Sequence, residues 1–353
     1  MYDPSTTEAI KELVSQVGGD PSSFDGRMLV DMLHTSLKLI PDGHDTGQLK
    51  LLTRAHKEMR YAYRVFNRYR GRKKISIFGS ARTPEDHPDY IAARTFSALI
   101  ARHGWMAITG AGDGIMKAGH EGPKRERSFG LSIRLPFETT ANEVIEGDSK
   151  LINFRYFFTR KLMFMSHADA VAVFPGGFGT QDELFETLTL MQTGKSNIVP
   201  LVLVEGEGRD YWEHWDNYVR KSLLDSGWIS EEDTDFYRIC HTAEEALEYV
   251  LRFYRVYHSS RYVGDDLVIR LNQPIDEAAL PALSRDFERI IKNGEITTTG
   301  PLEGETDHLD LPRIAFHHNR HHFGLVRRLI DRINDLGSDD ATDAEQRRPG
   351  AVG

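Results

Sequence analysis

Cysteine is nearly absent from this sequence of 353 residues, in which Cys240 is the single example. One cysteine excludes an intramolecular disulfide and a metal site built from several thiolates. Long apolar runs are missing as well, because no stretch approaches the ~18 residues that a membrane-spanning helix requires. The first residues also lack the basic and apolar regions of a secretory signal. We therefore expect a cytoplasmic protein with no membrane partner.

An excess of positive charge is also missing. The chain has 44 basic and 53 acidic side chains and a formal net charge of −9. This balance argues against a protein that mainly coats nucleic acid or an anionic membrane, so we expect no nucleic-acid partner. A small anionic ligand is compatible with it, because local loops rather than net charge decide such binding.

The pattern of apolar residues divides the chain into four parts. The first part has apolar positions at helical spacing, and in the second part short apolar runs alternate with amphipathic stretches. That alternation predicts βαβ units and a parallel sheet covered on both faces. We expect an α/β fold, a Rossmann-like doubly wound parallel sheet with an N-terminal helical extension and a small C-terminal α+β unit. The predicted boundaries are 1–73 for the extension, 74–260 for the Rossmann-like domain, 261–337 for the α+β unit and 338–353 for a disordered tail.

The α+β unit has a different pattern from the domain before it. Its apolar segments are fewer, and they are separated by longer polar stretches. The predicted strands are 267–271, 296–301 and 313–318, and the predicted helices are 276–293 and 325–336.

Three glycine-rich turns follow predicted strands, at the edge of the sheet where open α/β proteins bind their ligands. Glycines allow sharp turns and bring several backbone N–H groups against an anion. The helix predicted to start near Thr180 adds unpaired N–H groups. We therefore expect these turns to bind substrate. The candidate residues are Gly79 and Ser80 in the first turn, Gly110, Gly112, Gly114 and Met116 in the second, and Pro175, Gly176, Gly177, Gly179 and Thr180 in the third.

The local sequence of these turns is also compatible with other roles. Tight packing alone requires a glycine-rich turn after a strand in many α/β domains. No Lys-Ser or Lys-Thr pair follows a glycine spacing of the P-loop type. The second turn fits the dinucleotide-binding pattern loosely, and the acidic residue that this pattern places ~20 residues later would be Glu138.

Charged side chains flank the third turn. Glu183 follows Thr180 by three residues, a spacing that also forms a capping box, in which the carboxylate pairs with N–H groups at a helix start. Arg160 and Lys161 lie on the helix predicted before the strand that leads into the turn. A solvated surface is the ordinary position for such a pair, but the nearby turn makes both residues candidates for substrate binding.

Together these residues resemble a known family. Arg160-Lys161 and the later segment PGGFGTQDE are similar to the RK…PGGxGTxxE signature of the LOG (Lonely Guy) family, whose members were long mislabelled as lysine decarboxylases. The likeness spans residues 74–257. It implies a cytosolic Rossmann-like homodimer or higher homo-oligomer that hydrolyses the N-glycosidic bond of nucleoside 5′-monophosphates to free base and ribose 5-phosphate. It also implies residue roles: catalysis by Arg160 and Glu183, and phosphate binding by Gly176, Gly177, Gly179 and Thr180.

The chemistry of this reaction fits those roles. Cleavage of a ribosyl C–N bond develops positive charge on the sugar, which a carboxylate beside C1′ stabilises. A guanidinium binds phosphate or ribose hydroxyls in a fixed geometry. The reaction requires no metal, and we expect no cofactor. The chain departs from the plant-type pattern at Ala81 and Arg82, and Gln181-Asp182 replaces the common pair. We therefore favour AMP or a related purine nucleotide, as in an AMP nucleosidase, over a cytokinin riboside monophosphate.

Two alternatives remain. The first is a non-catalytic nucleotide or molybdenum-cofactor binding or carrier protein of the same superfamily, since related Rossmann proteins have similar glycine loops. The second concerns the segment after Arg261, which the family resemblance does not cover and which is a candidate regulatory module.

Two further clusters carry weaker signals. Basic residues between 64 and 74 alternate with aromatic ones, but their helical spacing favours packing over RNA binding. Four histidines lack a predictable carboxylate partner, so we favour a solvated surface over a metal site for them. These histidines are His317, His318, His321 and His322.

Overall fold

Three helices precede the sheet. They are α1 (Pro4–Gln16), α2 (Phe24–Lys38) and α3 (Thr46–Phe66). The Ser23 hydroxyl accepts the N–H of Gly26 and so caps the start of α2. Ile10 and Val14 of α1 pack with Val30 of α2 in a small core. The helical extension expected from the apolar spacing is therefore present.

The structure is a computed structural model that describes residues 4–133 and 141–337. The chain divides into two compact units, Met1–Arg60 and Tyr61–Gly353. Glu138 and the tail 338–353, which we predict to be disordered, lie outside the described residues. Within the described ranges, no helix is both long and apolar enough to span a membrane.

A seven-stranded sheet forms the centre of the second unit. Every neighbouring pair of its strands is parallel. The strands are β1 (Lys74–Phe78), β2 (Met106–Thr109), β3 (Ser128–Ile133), β4 (Leu151–Phe154), β5 (Ala170–Val173), β6 (Leu201–Val204) and β7 (Tyr237–Cys240). Their order is β4-β3-β2-β1-β5-β6-β7, so the direction of winding reverses between β1 and β5. Open α/β sheets bind ligands in the crevice at such a reversal.

Helices cover both faces of this sheet, which confirms the predicted fold class. They are α4 (Pro88–Arg102), α5 (Ile115–Glu121), α6 (Phe157–Ser166), α7 (Phe178–Gln192), α8 (Tyr211–Tyr218) and α9 (Ala243–Phe253). The alternation along β1 shows the two layers. Ile75 and Ile77 share a buried core with α4 and α9. The Ser76 hydroxyl instead donates to the carbonyl of Phe164 in α6, and the Phe78 and Phe164 rings lie 4.9 Å apart.

The C-terminal part adds an antiparallel sheet. Its strands are β8 (Tyr257–Val263), β9 (Asp266–Leu271), β10 (Ile291–Thr299) and β11 (Arg313–His318), in the order β10-β11-β9-β8. Its helices are α10 (Leu280–Asp286) and α11 (Phe323–Asp335). The sequence does not reveal β8, because its residues are polar and partly exposed. The prediction of one helix over 276–293 was wrong, since Ile291 already pairs with β11 through His318.

The side chain of Asn334 fastens α11 to the end of α9. Its Oδ1 accepts the N–H groups of Val256 at 2.9 Å and Tyr257 at 3.0 Å. Its Nδ2 donates to the carbonyl of Phe253 at 2.8 Å. The last helix and the parallel sheet are thereby joined within one compact unit.

The histidine-rich segment is held by contacts inside the protein. His318 is buried, so the prediction of a solvated position was wrong for this residue. His322 contacts the Glu232 carboxylate at 3.1 Å, a partner too distant in sequence to be recognised. Among residues 4–133 and 141–337, no group of three or more His, Cys, Asp or Glu side chains could hold a metal ion.

Cys240 ends β7 with its thiol inside the core. Burial raises the pKa of this thiol to about 12. The thiol is therefore protonated at physiological pH.

Candidate active site

The three glycine-rich turns meet in one cavity of about 780 Å³, within the range of small-molecule sites. Ten of the residues expected to bind or transform substrate line it. They are Gly79, Ser80, Gly110, Met116, Arg160, Gly176, Gly177, Gly179, Thr180 and Glu183. Seven further residues complete the lining, namely Phe78, Ala81, Arg82, Phe157, Phe178, Gln181 and Asp182.

The first turn lies between the other two and binds to both. The N–H of Ser80 donates to the carbonyl of Pro175 at 3.1 Å, and the carbonyl of Ser80 accepts the N–H of Ile115 at 3.0 Å. A Cβ on Gly114 would lie 2.3 Å from the Ser80 oxygen, and Gly114 has a φ of +58°. Packing therefore requires glycine at position 114, and Pro175 holds the first turn through its backbone carbonyl, although neither residue lines the cavity.

The phosphate-binding candidate is the start of α7. This helix begins at Phe178, and its N-cap is Gly177, which offers no side-chain hydrogen bond. The first N–H groups of α7 consequently lack an intrahelical partner and carry the positive end of the helix dipole. A Cβ on Gly177 or on Gly179 would meet no atom within 4 Å. Packing does not require glycine at these two positions, whereas an anion bound against the backbone would.

Glu183 lies in the second turn of α7 and does not cap the helix. The capping-box interpretation was wrong, because α7 begins at Phe178 rather than near Thr180. The Glu183 side chain is 11% exposed, and its Oε2 is buried without a hydrogen-bond partner within the described ranges. Burial raises the pKa of Glu183 to about 7, although Lys161 and Arg160 act to lower it. Both protonation states of this carboxyl are accessible near neutral pH.

Arg160 reaches the cavity from α6. Its Nε donates to the carbonyl of Leu131 at 2.9 Å, and its guanidinium lies 5.3 Å from the ring centre of Phe164. A Cβ on Gly110 would lie 2.6 Å from Nη2 of Arg160. Gly110 is thus the residue that lets the guanidinium approach the second turn.

Lys161, expected to bind substrate, has a different set of contacts and does not line the cavity. Its Nζ lies 2.8 Å from carboxylate oxygens of both Asp182 and Glu186, and 3.9 Å from Oε2 of Glu183. Lys161 therefore links α6 to α7 and places a positive charge behind the Glu183 carboxyl.

A buried network under the second turn involves residues that the sequence did not single out. The imidazole of His120 contacts Thr109 Oγ1 at 2.9 Å and the Asn142 amide at 3.2 Å. Asn142 donates to the carbonyl of Gly112 at 2.9 Å. Gly112, which we expected to bind substrate, therefore contacts this network and does not line the cavity. Burial lowers the pKa of His120 to about 4, so the ring is neutral. Ala111, with a φ of +66°, is supported in its unusual conformation by this network.

Part of the chain is similar to known proteins. Residues 110–250 match a family model described as "Possible lysine decarboxylase". A Mycobacterium tuberculosis protein named cytokinin riboside 5′-monophosphate phosphoribohydrolase is 28% identical over 159 residues, which are 44% of this chain and 81% of that protein. A Mycobacterium marinum protein of the same name is 25% identical over 183 residues, 50% of this chain and 93% of that protein.

Among solved structures, the chain is similar to the molybdenum cofactor binding protein from the phototrophic bacterium Rippkaea orientalis. It is 19% identical, covers 52% of this chain and 97% of its own, and superposes with a TM-score of 0.37. The fold of this chain is defined by its own strand order rather than by that superposition.

Proposed function

We propose that this chain is a nucleoside 5′-monophosphate phosphoribohydrolase of the LOG family. Its residues 110–250 match the model described as "Possible lysine decarboxylase", and its motifs resemble those of that family. The observation that carries the proposal is the carboxyl of Glu183. It is buried, its Oε2 has no hydrogen-bond partner among the described residues, and it shares a cavity with Arg160 and the uncapped start of α7. Desolvated carboxyls with a perturbed pKa in a cavity are typical of catalytic acids and bases.

The start of α7 is the binding site for the 5′-phosphate in this proposal. Backbone N–H groups of Gly177, Phe178 and Gly179 can donate to its oxygens, and the helix dipole favours its charge. The space beside Gly177 and Gly179, where a Cβ would meet no atom within 4 Å, leaves their backbone open to such an anion.

Hydrolysis then proceeds at C1′ of the ribose. The C1′–N bond breaks, its electron pair leaves with the base, and positive charge develops on the sugar. The ionised Glu183 carboxylate stabilises this charge and accepts a proton from the water that attacks C1′. The departing base takes up one proton from solvent, Glu183 releases to solvent the proton that it accepted from water, and the products are the free base and ribose 5-phosphate. Arg160 holds the ribose hydroxyls or the phosphate, and no cofactor takes part.

The substrate we favour is AMP or a related purine nucleotide. Met116 and the half-exposed ring of Phe157 give the cavity apolar surface against which a purine can pack. Cytokinin riboside 5′-monophosphate differs from AMP by an apolar substituent on the base, so it is the second nucleotide to test.

We further propose that the protein is at least a homodimer. Phe157 and Phe178 at the cavity rim are 55% and 97% exposed, and Phe158 and Leu162 on α6 are 52% and 46% exposed. A second copy of the chain over this rim would bury them. Phe158→Glu should then yield monomers in light scattering with a retained fold, and an unchanged mass would count against an interface at α6.

The test of the activity is release of free base. Purified protein is incubated with AMP, GMP, CMP, UMP or isopentenyladenosine monophosphate, and we expect adenine from AMP. Glu183→Gln should lower kcat about a hundredfold or more. Glu186→Gln, one helical turn away and outside the cavity lining, is the matched control and should retain activity at about pH 8, where Glu183 is ionised in both proteins.

Two outcomes would contradict the hydrolase. If no free base is released from any of the five nucleotides at high protein concentration, the protein does not have the proposed activity. Saturable nucleotide binding without turnover, unchanged by Glu183→Gln, favours the non-catalytic nucleotide-binding or carrier alternative.

A further inference from the structure

The carbonyl of Gly176 in the third turn is held by a side chain from another element. Oη of Tyr211, the first residue of α8, donates to this carbonyl at 2.6 Å. Nε2 of Gln181 in turn donates to Oη of Tyr211 at 2.7 Å. The sequence gives no sign of this chain of contacts, because Tyr211 is 35 residues from Gly176.

The order of donors in this chain is fixed by chemistry. A tyrosine hydroxyl has one hydrogen, and an amide NH₂ group can only donate. The hydrogen of Tyr211 must therefore point to the Gly176 oxygen. If the Gln181 amide were turned the other way, the Tyr211 hydroxyl would donate its hydrogen to Oε1 of Gln181. The oxygens of Tyr211 and Gly176 would then lie 2.6 Å apart with no hydrogen between them.

Fixing the Gly176 carbonyl also fixes the next N–H group. In a planar trans peptide the C=O of one residue and the N–H of the next point in opposite directions. The N–H of Gly177 is consequently directed away from Tyr211. Gly177 lines the cavity, and the space beside its Cα is open.

Tyr211 is itself held firmly at the start of α8. The next residue, Trp212, is fully buried. Its backbone N–H donates to the Glu205 carboxylate at 3.2 Å, and its indole Nε1 donates to the carbonyl of Val204 at 3.0 Å. The end of β6 thus fixes the position from which the hydroxyl reaches Gly176.

We propose that Tyr211 is a positioning residue for phosphate recognition: through Gly176 it aims the Gly177 N–H at a phosphomonoester bound at α7, and Gln181 sets the direction of its hydroxyl. The inference rests on the proposed function for the presence of a phosphate on the ligand, but it does not require turnover. Tyr211 acts on the backbone and does not itself contact the reacting atoms.

The test compares Tyr211→Phe with the unaltered protein. Calorimetric titration with ribose 5-phosphate should show about fivefold weaker binding, because the variant loses the one hydrogen bond that holds the Gly176 carbonyl. In steady-state assays with AMP, KM should rise by a similar factor while kcat stays the same, because phosphate is held equally in the ground and transition states. Tyr218→Phe, on the exposed side of the same helix, is the matched control.

The possible results separate the two proposals. Equal ribose 5-phosphate affinity of Tyr211→Phe and the unaltered protein overturns the positioning role, and so does a fall in kcat at constant KM. No binding of ribose 5-phosphate by the unaltered protein also overturns it. Absence of base release together with a selective loss of ribose 5-phosphate affinity removes the hydrolase and keeps the role of Tyr211. If Tyr211→Phe does not fold, Gln181→Met leaves the ring in place and should give a loss in the same direction, and an unchanged affinity overturns the proposal.

Discussion

Opposing influences meet at the carboxyl of Glu183. Burial and the nearby carboxylates of Asp182 and Glu186 favour its protonated form, whereas Lys161 and Arg160 favour the ionised form. Burial has the largest effect, and the resulting pKa of about 7 lies close to the pH at which a general base is most useful. In the proposed reaction the carboxyl acts in its ionised form.

The pH dependence of catalysis follows from this pKa. With AMP, kcat should rise as pH increases through about 7 and level off above it. Lys161→Met removes a cation that lowers the pKa of Glu183, so the rise should move to higher pH. Lys195→Met, an exposed lysine just after α7, should leave the profile in place. A profile that falls through this pH range would instead assign Glu183 the role of a general acid.

The same carboxyl makes stability depend on pH. Its pKa is about 7 in the folded protein and near 4.5 in the unfolded chain. The folded state therefore binds the proton more tightly, and the stability that this proton contributes is complete below about pH 4.5 and lost as pH rises through about 7. The neutral side chain of Glu183→Gln avoids this loss. The free energy of unfolding of the variant should exceed that of the unaltered protein at pH 8 by up to roughly 3 kcal/mol.

Denaturant titrations at about pH 8 and about pH 5 check this expectation. The stability difference between Glu183→Gln and the unaltered protein should shrink at the lower pH. A stability difference of the same size at both pH values would mean that burial does not raise the pKa of this carboxyl.

At the level of the elements, the third turn has glycine at three positions for different physical reasons. A Cβ on Gly176 would lie 2.1 Å from Oγ1 of Thr180, so packing excludes it. Gly177 and Gly179 have open space instead, although Gly179 lies inside a helix, where glycine costs about 0.5–1 kcal/mol relative to alanine. The turn thus gives up stability at the position where phosphate is proposed to bind.

Alanine substitutions separate these reasons. Gly179→Ala should raise the free energy of unfolding by roughly 0.5–1 kcal/mol and still weaken ribose 5-phosphate binding, because its methyl group occupies the anion site. Gly176→Ala should lower stability. Thermal denaturation and calorimetric titration measure the two effects, and unaltered ribose 5-phosphate affinity of Gly179→Ala would place the phosphate elsewhere.

The sequence predicted the positions of these turns, because each turn follows a short apolar strand and is rich in glycine, two local signals. It predicted the start of α7 wrongly, since Thr180 resembles an N-cap while the actual cap, Gly177, has no side chain to recognise. The contacts that orient the turns join residues far apart in the chain, such as His120 with Asn142, and no local pattern contains them. The sequence did not predict β8 for a related reason. This strand is stabilised by its pairing with β9, although its residues are polar.

For the molecule as a whole, the C-terminal sheet and the parallel sheet belong to one compact unit. Truncation after Arg261 would remove α11 and leave the N–H groups of Val256 and Tyr257 without the Asn334 side chain. A regulatory role for the C-terminal segment is therefore better tested by adding nucleotide effectors to the full chain than by deletion.

This arrangement predicts cooperative unfolding. Asn334→Ala leaves buried N–H and C=O groups unpaired and should cost roughly 3 kcal/mol. Asp335→Ala is the matched control, since it removes only an exposed ion pair with Arg252 and should cost less than about 1 kcal/mol. Tryptophan fluorescence and circular dichroism should give coincident transitions for residues 61–337. Separate transitions would show that the two sheets unfold independently.

The single cysteine provides a way to observe ligands that are never turned over. Because the Cys240 thiol is buried and protonated in the folded chain, a thiol reagent reacts with it only when the sheet around β7 opens. Each molecule carries one such group, so the fraction of labelled molecules in a mass spectrum measures how many have opened at least once. A nucleotide that binds only the closed form slows labelling in proportion to its occupancy. Candidate nucleotides can therefore be ranked by how long they protect one sulfur atom, without a dye, an isotope or a catalytic event.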